Sequence, residues 1–176
     1  MATLQVDNLC FNFHRQMAAE KYDDWIHYRT VWNKHGHQKA VDVVALRLKA
    51  TPPVVYLIEA KDFRQIRGEP SNIAGLAEDV LKKVQDTLAG LADAASQAIN
   101  KTEREHAVRT MNARTRRVVL HVEPYDSSGS CSSLFPRKFP AGVFQKLKQL
   151  IRDIDSDPVL VEIKTCPRLN LPWTVS

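Results

Sequence analysis

Apolar residues recur at Ile73, Leu76, Ala77, Val80, Leu81, Val84, Leu88, Leu91, Ala92 and Ala95. Gaps of three and four put them on one stripe of a long helix, and Ser71 stands where an N-cap would. Residues 40–48 and 54–63 have another rhythm. Val41, Val43, Val44 and Leu46 dominate the first. Val54-Val55-Tyr56-Leu57-Ile58 in the second is apolar on both faces, which predicts a covered, central strand. Lys49-Ala50-Thr51-Pro52-Pro53 breaks the two apart, and so short a gap predicts an antiparallel hairpin. Residues 117–123 and 158–165 read as further strands. Residues 141–154 read as an amphipathic helix with Val143, Phe144, Leu147, Leu150, Ile151 and Ile154 inward. Upstream, residues 4–13 predict a short strand. Residues 14–25, with Met17, Ala18 and Ala19, predict a short helix, and Tyr28-Arg29-Thr30-Val31-Trp32 is β-rich. Residues 33–37, 64–70 and 125–140 carry turn and loop composition. The pattern predicts an α/β fold: a mixed central sheet flanked by helices, with early strands antiparallel and later ones joined by parallel crossovers.

Composition narrows this. The chain has 176 residues, 44% hydrophobic and 26% charged, which predicts one globular domain over 1–176 and argues against a disordered chain. No 20–50-residue repeat occurs, which sets solenoids aside. No apolar run approaches the roughly 18 residues of a membrane span. The opening Met1-Ala2-Thr3-Leu4-Gln5-Val6-Asp7 does not resemble a secretory signal. Three scattered cysteines (Cys10, Cys131, Cys166) make neither a disulfide framework nor a zinc ribbon, so the expected setting is cytoplasmic, with no membrane partner. The net charge is +5. Residues 101–118 hold Lys101, Arg104, Arg109, Arg114, Arg116 and Arg117 against only Glu103 and Glu105. That stretch is either a solvated helix end and loop or a phosphate-facing surface.

The candidate chemistry sits where acids interrupt apolar strands. Asp42 lies between Val41 and Val43, and Glu59 follows Ile58 and precedes Ala60-Lys61. On a strand, Glu59 and Lys61 share a face. For Asp42 to join them across a hairpin, the cross-strand partners must sum to an odd number, near 101 or 103. Two adjacent carboxylates lose hydration and repel, a cost that a divalent ion relieves. Hard oxygen donors suit Mg²⁺ or Mn²⁺. Such a site could polarise a phosphodiester, with Lys61 stabilising developing charge. Glu162-Ile163-Lys164 repeats the E-x-K spacing without an acid in a preceding strand and reads as a surface ion pair. His35-Gly36-His37 reads as a turn, and His121 with Glu123 as a buried hydrogen-bonded pair. No G-x-S-x-G, P-loop or G-x-G-x-x-G motif occurs.

Val41-Asp42-Val43 in one strand, Glu59-Ala60-Lys61 closing the next, and a long helix after them resemble the PD-(D/E)XK nuclease superfamily. Val41 stands where that signature has proline. The resemblance implies a restriction-endonuclease-like αβββαβ core over about 14–123, with a helix and strand added over about 140–176. It implies Asp42, Glu59 and the Ala60 carbonyl as Mg²⁺ or Mn²⁺ ligands and Lys61 as the catalytic lysine. An acid from the first helix, Glu20 in preference to Asp23 or Asp24, would join the metal. Lys83 or Gln85 on the following helix, with Arg109, Arg114, Arg116 and Arg117, would contact nucleic acid. The expected activity is metal-dependent cleavage of DNA, or of RNA, with a homodimer or partner protein supplying specificity. The alternative is an inactive nuclease-like module that binds nucleic acid or a protein, as in a bacterial defence or toxin system. Lys21-Tyr22-Asp23-Asp24-Trp25, residues 57–64 and Leu171-Pro172-Trp173 also resemble an uncharacterised bacterial family, a likeness that implies no substrate.

Overall fold

A computed structural model describes residues 2–64, 73–124 and 141–176. The Ser71 cap, Cys131 and the loop expected over 125–140 lie outside the described residues. The remainder is a mixed α/β domain built on a five-stranded sheet. Its strands are β3 (Met17–Lys21), β4 (Val43–Arg47), β5 (Val54–Asp62), β6 (Thr115–Glu123) and β7 (Val159–Val161), in that spatial order. β3, β4 and β5 form an antiparallel meander, and β6 and β7 continue parallel to β5. The helices α1 (Leu76–Gln97), α2 (Lys101–Met111) and α3 (Ala141–Leu150) flank the sheet. A second sheet of β1 (Ala2–Val6), β2 (Leu9–Phe13) and β8 (Trp173–Val175) covers the other face.

Each face of the five-stranded sheet holds its own core, as its alternation requires. Val44, Leu46, Val55, Leu57, Val118, Leu120 and Val122 pack against Val80, Val84, Leu91 and Ala94 of α1 and Leu147 of α3. Val43, Ala45, Tyr56, Ile58, Ala60 and Val119 pack against Leu9, Phe11, Phe13 and Trp173 of the small sheet. β5 is therefore covered on both sides, as its unbroken apolar run predicts.

Several local expectations are corrected. Residues 14–25 are not a helix: β3 occupies 17–21 and a single 3₁₀ turn follows over Tyr22–Asp24. Ala18 and Ala19 have high helix propensity, but the ladder with β4 overrides it, pairing Met17 with Arg47 and Lys21 with Val43. The β-rich run Tyr28–Trp32 is a π-helical turn. Its start is held by the buried Glu103 carboxylate, which accepts from the Ile26 and His27 amides at 2.8 and 3.0 Å. The expected strand over 4–13 is a hairpin, turning at Asp7 with φ of 50°. Residues 101–111 form a full helix capped by Asn100, whose side chain accepts from the Thr102 and Glu103 amides. The strand expected over 158–165 is only β7, Val159–Val161, so Glu162 and Lys164 lie beyond its end, and the later strand β8 was not expected.

Gly90 marks where α1 meets the π-helical turn. A Cβ there would overlap the Tyr22 hydroxyl and stand 2.8 Å from the Trp32 ring. Alanine normally gains about 1 kcal/mol over glycine inside a helix, whereas overpacking costs about 1–3 kcal/mol. With two large aromatic side chains in the way, overpacking dominates. Gly90→Ala is expected to lower stability by about 1–2 kcal/mol, measured by urea denaturation. An unchanged or raised midpoint would contradict this packing.

Candidate active site

β4 and β5 pair Val43 with Ile58 and Val44 with Leu57. The partner indices sum to 101, so Asp42, just before β4, falls opposite Glu59 and on the same face of the sheet. That face is the helix-covered one. The approach to β4 is strapped onto α1: the Lys39 amide donates to Asp86 at 2.8 Å and the Val41 amide to the Thr87 hydroxyl at 3.0 Å. Asp42 then accepts the Ala60 amide on Oδ2 at 2.7 Å, locking its carboxylate to β5 beside Glu59.

Glu59 has no solvent exposure, and its Oε1 is held by two ammonium groups, Lys61 at 2.6 Å and Lys83 at 2.7 Å. Its Oε2 is buried with no hydrogen-bond partner. Burial above all, and then the negative charge of Asp42, raise the Glu59 carboxyl to about 7; the two lysines pull against that rise. Burial disfavours the charged form of Lys83, but the Glu59 carboxylate outweighs it, helped by Asp42 and Asp79, and the ammonium is held above its usual range. Lys83 comes from the α1 face between Val80 and Val84, both fully buried. The helix thus places a cation over the only fully buried acid among the described residues.

The sequence-based site residues divide clearly. Asp42, Glu59, Ala60 and Lys61 come together. Lys83 joins them, but as a partner of Glu59 and not as a free phosphate contact. Gln85 is exposed on α1 and bonds to none of them. Glu20 is corrected: it sits on β3 opposite Val44, with Oε1 at 3.2 Å from His106 Nδ1 of α2. Two strands and two residues separate it from Glu59, about 12 Å by sheet geometry, so the two do not share an ion. Asp23 approaches more closely. Burial first, and the charges of Asp24 and Asp42, raise its carboxyl against the pull of Lys21 and Arg29. Its Oδ1 is buried without a partner. The helix expected over 14–25 hid this acid, because a helix turns Asp23 away from the face of Glu20, whereas a strand ending in a 3₁₀ turn brings it toward Asp42.

The arginines lie elsewhere. β5 and β6 are parallel, with Arg116 opposite Val55 and Leu120 opposite Glu59. Arg116 is therefore four residues back from the Glu59 row, roughly 13 Å along the strand. Arg117 is paired with Asp157 at 3.2 Å and with Asp155 at 3.8 Å. The half-buried Glu162 and the exposed Lys164 form a pair at 2.7 Å. His121 Nε2 lies 3.0 Å from Glu123 in the opposite core, and the His35 to His37 turn is exposed, with Gly36 at φ of 72°.

No group of three or more His, Cys, Asp or Glu able to hold a metal occurs among the described residues. Two carboxylates fit a hard ion that keeps several waters, and do not fit a closed zinc-type cage. The buried, unpartnered Glu59 Oε2 is the donor that such an ion would satisfy.

No family model matches the chain. It is 26% identical, over an alignment 215 positions long, to a cysteine–tRNA ligase of Neisseria meningitidis (serogroup A / serotype 4A). The alignment takes in all of this chain and 30% of that protein, so the chain spans less than a third of the relative's length. No solved structure matches. Among the described residues, no helix is long and apolar enough to cross a membrane.

Proposed function

We propose that the protein is a metal-dependent phosphodiesterase of the PD-(D/E)XK kind, cutting nucleic acid at Asp42, Glu59 and Lys61. The observation that carries the reading is the buried Glu59, aligned across the β4–β5 pair with Asp42 and bonded to Lys61. The succession of an antiparallel meander, a long helix and a parallel strand suits a restriction-endonuclease-like core, although a 3₁₀ turn after β3 replaces the expected leading helix. Asp42, Glu59 and, as the resemblance implies, the Ala60 carbonyl would hold Mg²⁺ or Mn²⁺. When bound, such an ion supplies Lewis acidity toward a phosphodiester and an attacking water.

The chain's own residues have distinct tasks. Lys83 holds Glu59 Oε1 and favours its carboxylate. Lys61, a quarter exposed where Glu59 is sealed, presents an ammonium toward solvent and the substrate side. Charge developing on a phosphorane would be stabilised there. The relative's name, a ligase for tRNA, adds tRNA to the candidate substrates beside DNA and other RNA.

The test pairs metal binding with cleavage. Mn²⁺ or Mg²⁺ is expected to raise Tm in a saturable way, because an ion that binds only the native state stabilises it by mass action. Asp42→Asn is expected to abolish that rise while keeping the fold, since the amide oxygen still accepts from Ala60. Cleavage is assayed on single-stranded, duplex and branched DNA and RNA and on tRNA, with and without metal. Neither a metal-dependent shift nor cleavage of any substrate would leave the non-catalytic binding module as the reading.

A further inference from the structure

Charge is distributed unevenly between the two ends of the five-stranded sheet. At the end holding Glu59, the cations have acidic partners. Lys21 and Arg29 pair with Asp24, Lys39 with Asp79, Arg64 with Asp62, Lys82 with Asp86, and Lys61 and Lys83 with Glu59.

The opposite end differs. Its edge is a single register row, Met17, Arg47, Val54 and Thr115, across β3 to β6. Three connections converge on it. The turn before β3 carries Arg15, β4 ends on Arg47 and its connection to β5 carries Lys49, and the α2–β6 connection carries Arg114 with Arg116 just beyond. Backbone hydrogen bonds join the three: the Leu48 amide to the Gln16 carbonyl at 2.8 Å, and the Thr115 amide to the Pro53 carbonyl at 3.4 Å. Arg15, Arg47, Lys49 and Arg114 are exposed and Arg116 is half-buried. None of the five has an ion-pair partner among the described residues. Asp155 and Asp157, the acids that β7 brings toward this end, are already engaged by Arg117.

We propose that this basic sheet end is a sequence-independent binding surface for the phosphodiester backbone of a nucleic-acid duplex, separate from the Glu59 site. Four strands span about 14 Å. A duplex carries one phosphate per strand about every 3.4 Å of axis, so that width faces about four phosphates of one strand. Four of the five cations are arginine, whose fork matches phosphate oxygens. The surface stands whether or not the Glu59 site cuts, because no residue is shared between them. It joins Arg15, Arg47 and Lys49, distant in sequence, to Arg114 and Arg116 of the cluster of arginines over 109–117, and it omits Arg109 and Arg117.

The experiment measures affinity in EDTA, where no metal-dependent cleavage intervenes. Probes are a 30-base-pair DNA duplex and an RNA duplex of the same sequence, titrated across KCl concentrations. The fourfold variant Arg47→Gln, Lys49→Gln, Arg114→Gln and Arg116→Gln is compared with Lys21→Gln, Arg29→Gln, Lys39→Gln and Lys82→Gln at the other end. Each lost phosphate contact lowers the log–log salt slope on B-DNA by about 0.9. The first variant is therefore expected to lose about 3 to 4 from the slope, and the second to stay within about 1 of wild type. Arg114→Gln alone, at an exposed connection, is expected to lose about 1 and guards against a folding defect in the multiple variant. Equal losses from the two fourfold variants, or unchanged slopes on both duplexes, would overturn the proposal. Displacement of the duplex by poly-glutamate at matched charge would also overturn it, since the surface would then answer to charge alone. Which duplex binds more tightly identifies the nucleic acid.

Discussion

Lys61→Ala is expected to lower metal-dependent cleavage by about 10² to 10³, the loss typical of removing one transition-state electrostatic partner. Affinity for uncleaved substrate is expected to change little. An ammonium acting on charge that develops only during the reaction lowers kcat and kcat/KM together and leaves ground-state binding alone. Glu59 keeps Lys83 on the same oxygen when Lys61 is lost, so its carboxylate stays paired and its position over β5 is retained. That redundancy makes the variant informative, because the fold and the metal-dependent rise in Tm should both survive it. Lys164→Ala is the matched control. It removes the cation of the other E-x-K, which is two-thirds exposed beyond the end of β7, and should leave turnover unchanged. Cleavage that persists in Lys61→Ala, or falls equally in Lys164→Ala, would assign the chemistry to another residue.

The two E-x-K segments show how far the sequence carries the site and where it stops. Both have the same spacing and follow apolar residues. Only the first is preceded by a strand whose approach holds an acid, and the odd register sum that this requires is the one observed, 43 with 58. Period-two alternation and a short breaker made that pairing legible. The first acidic neighbour was not legible, because Met17-Ala18-Ala19-Glu20 has the propensity of a helix and is a strand only through its ladder with β4. That single misassignment moved the choice from Asp23 to Glu20. α2 was obscured for a related reason. Its buried positions are Glu103, His106, Ala107 and Thr110, so no apolar stripe announces it. The Glu103 carboxylate anchors the turn at Ile26 and His27, across 77 and 76 residues of sequence, and no local pattern encodes such a contact. Likewise, the basic residues over 101–118 split among a helix face, a connection and a strand. Their relation to Arg15, Arg47 and Lys49 exists only through sheet register.

Glu59 should also make stability depend on pH in a way that one substitution can isolate. Its carboxyl is raised to about 7 in the folded protein, from an ordinary value of 4.5. The folded state therefore binds the Glu59 proton more tightly than the unfolded chain does. The associated stability is fully present below about 4.5 and is lost as pH rises through 7. Between pH 5 and pH 8 in EDTA, wild type should lose about 2 to 3 kcal/mol from this group, at about 1.4 kcal/mol per pH unit between the two values. Glu59→Gln keeps the shape and cannot ionise, so it lacks this contribution. Groups remote from the site affect both proteins alike, and the difference between their unfolding free energies at the two pH values reports on Glu59 together with the cations it holds. The variant should gain on wild type by that amount as pH rises. In wild type the Glu59 carboxylate holds the Lys83 ammonium above its usual range, outside the window titrated. Divalent metal should reverse the trend for wild type alone: it binds the carboxylate form, releases the proton and restores stability at pH 8. A flat difference between the two proteins from pH 5 to pH 8 would show that the two lysines keep Glu59 fully ionised. The buried acid would then be a closed ion triad with no demand for a metal, and the catalytic reading would lose its main support.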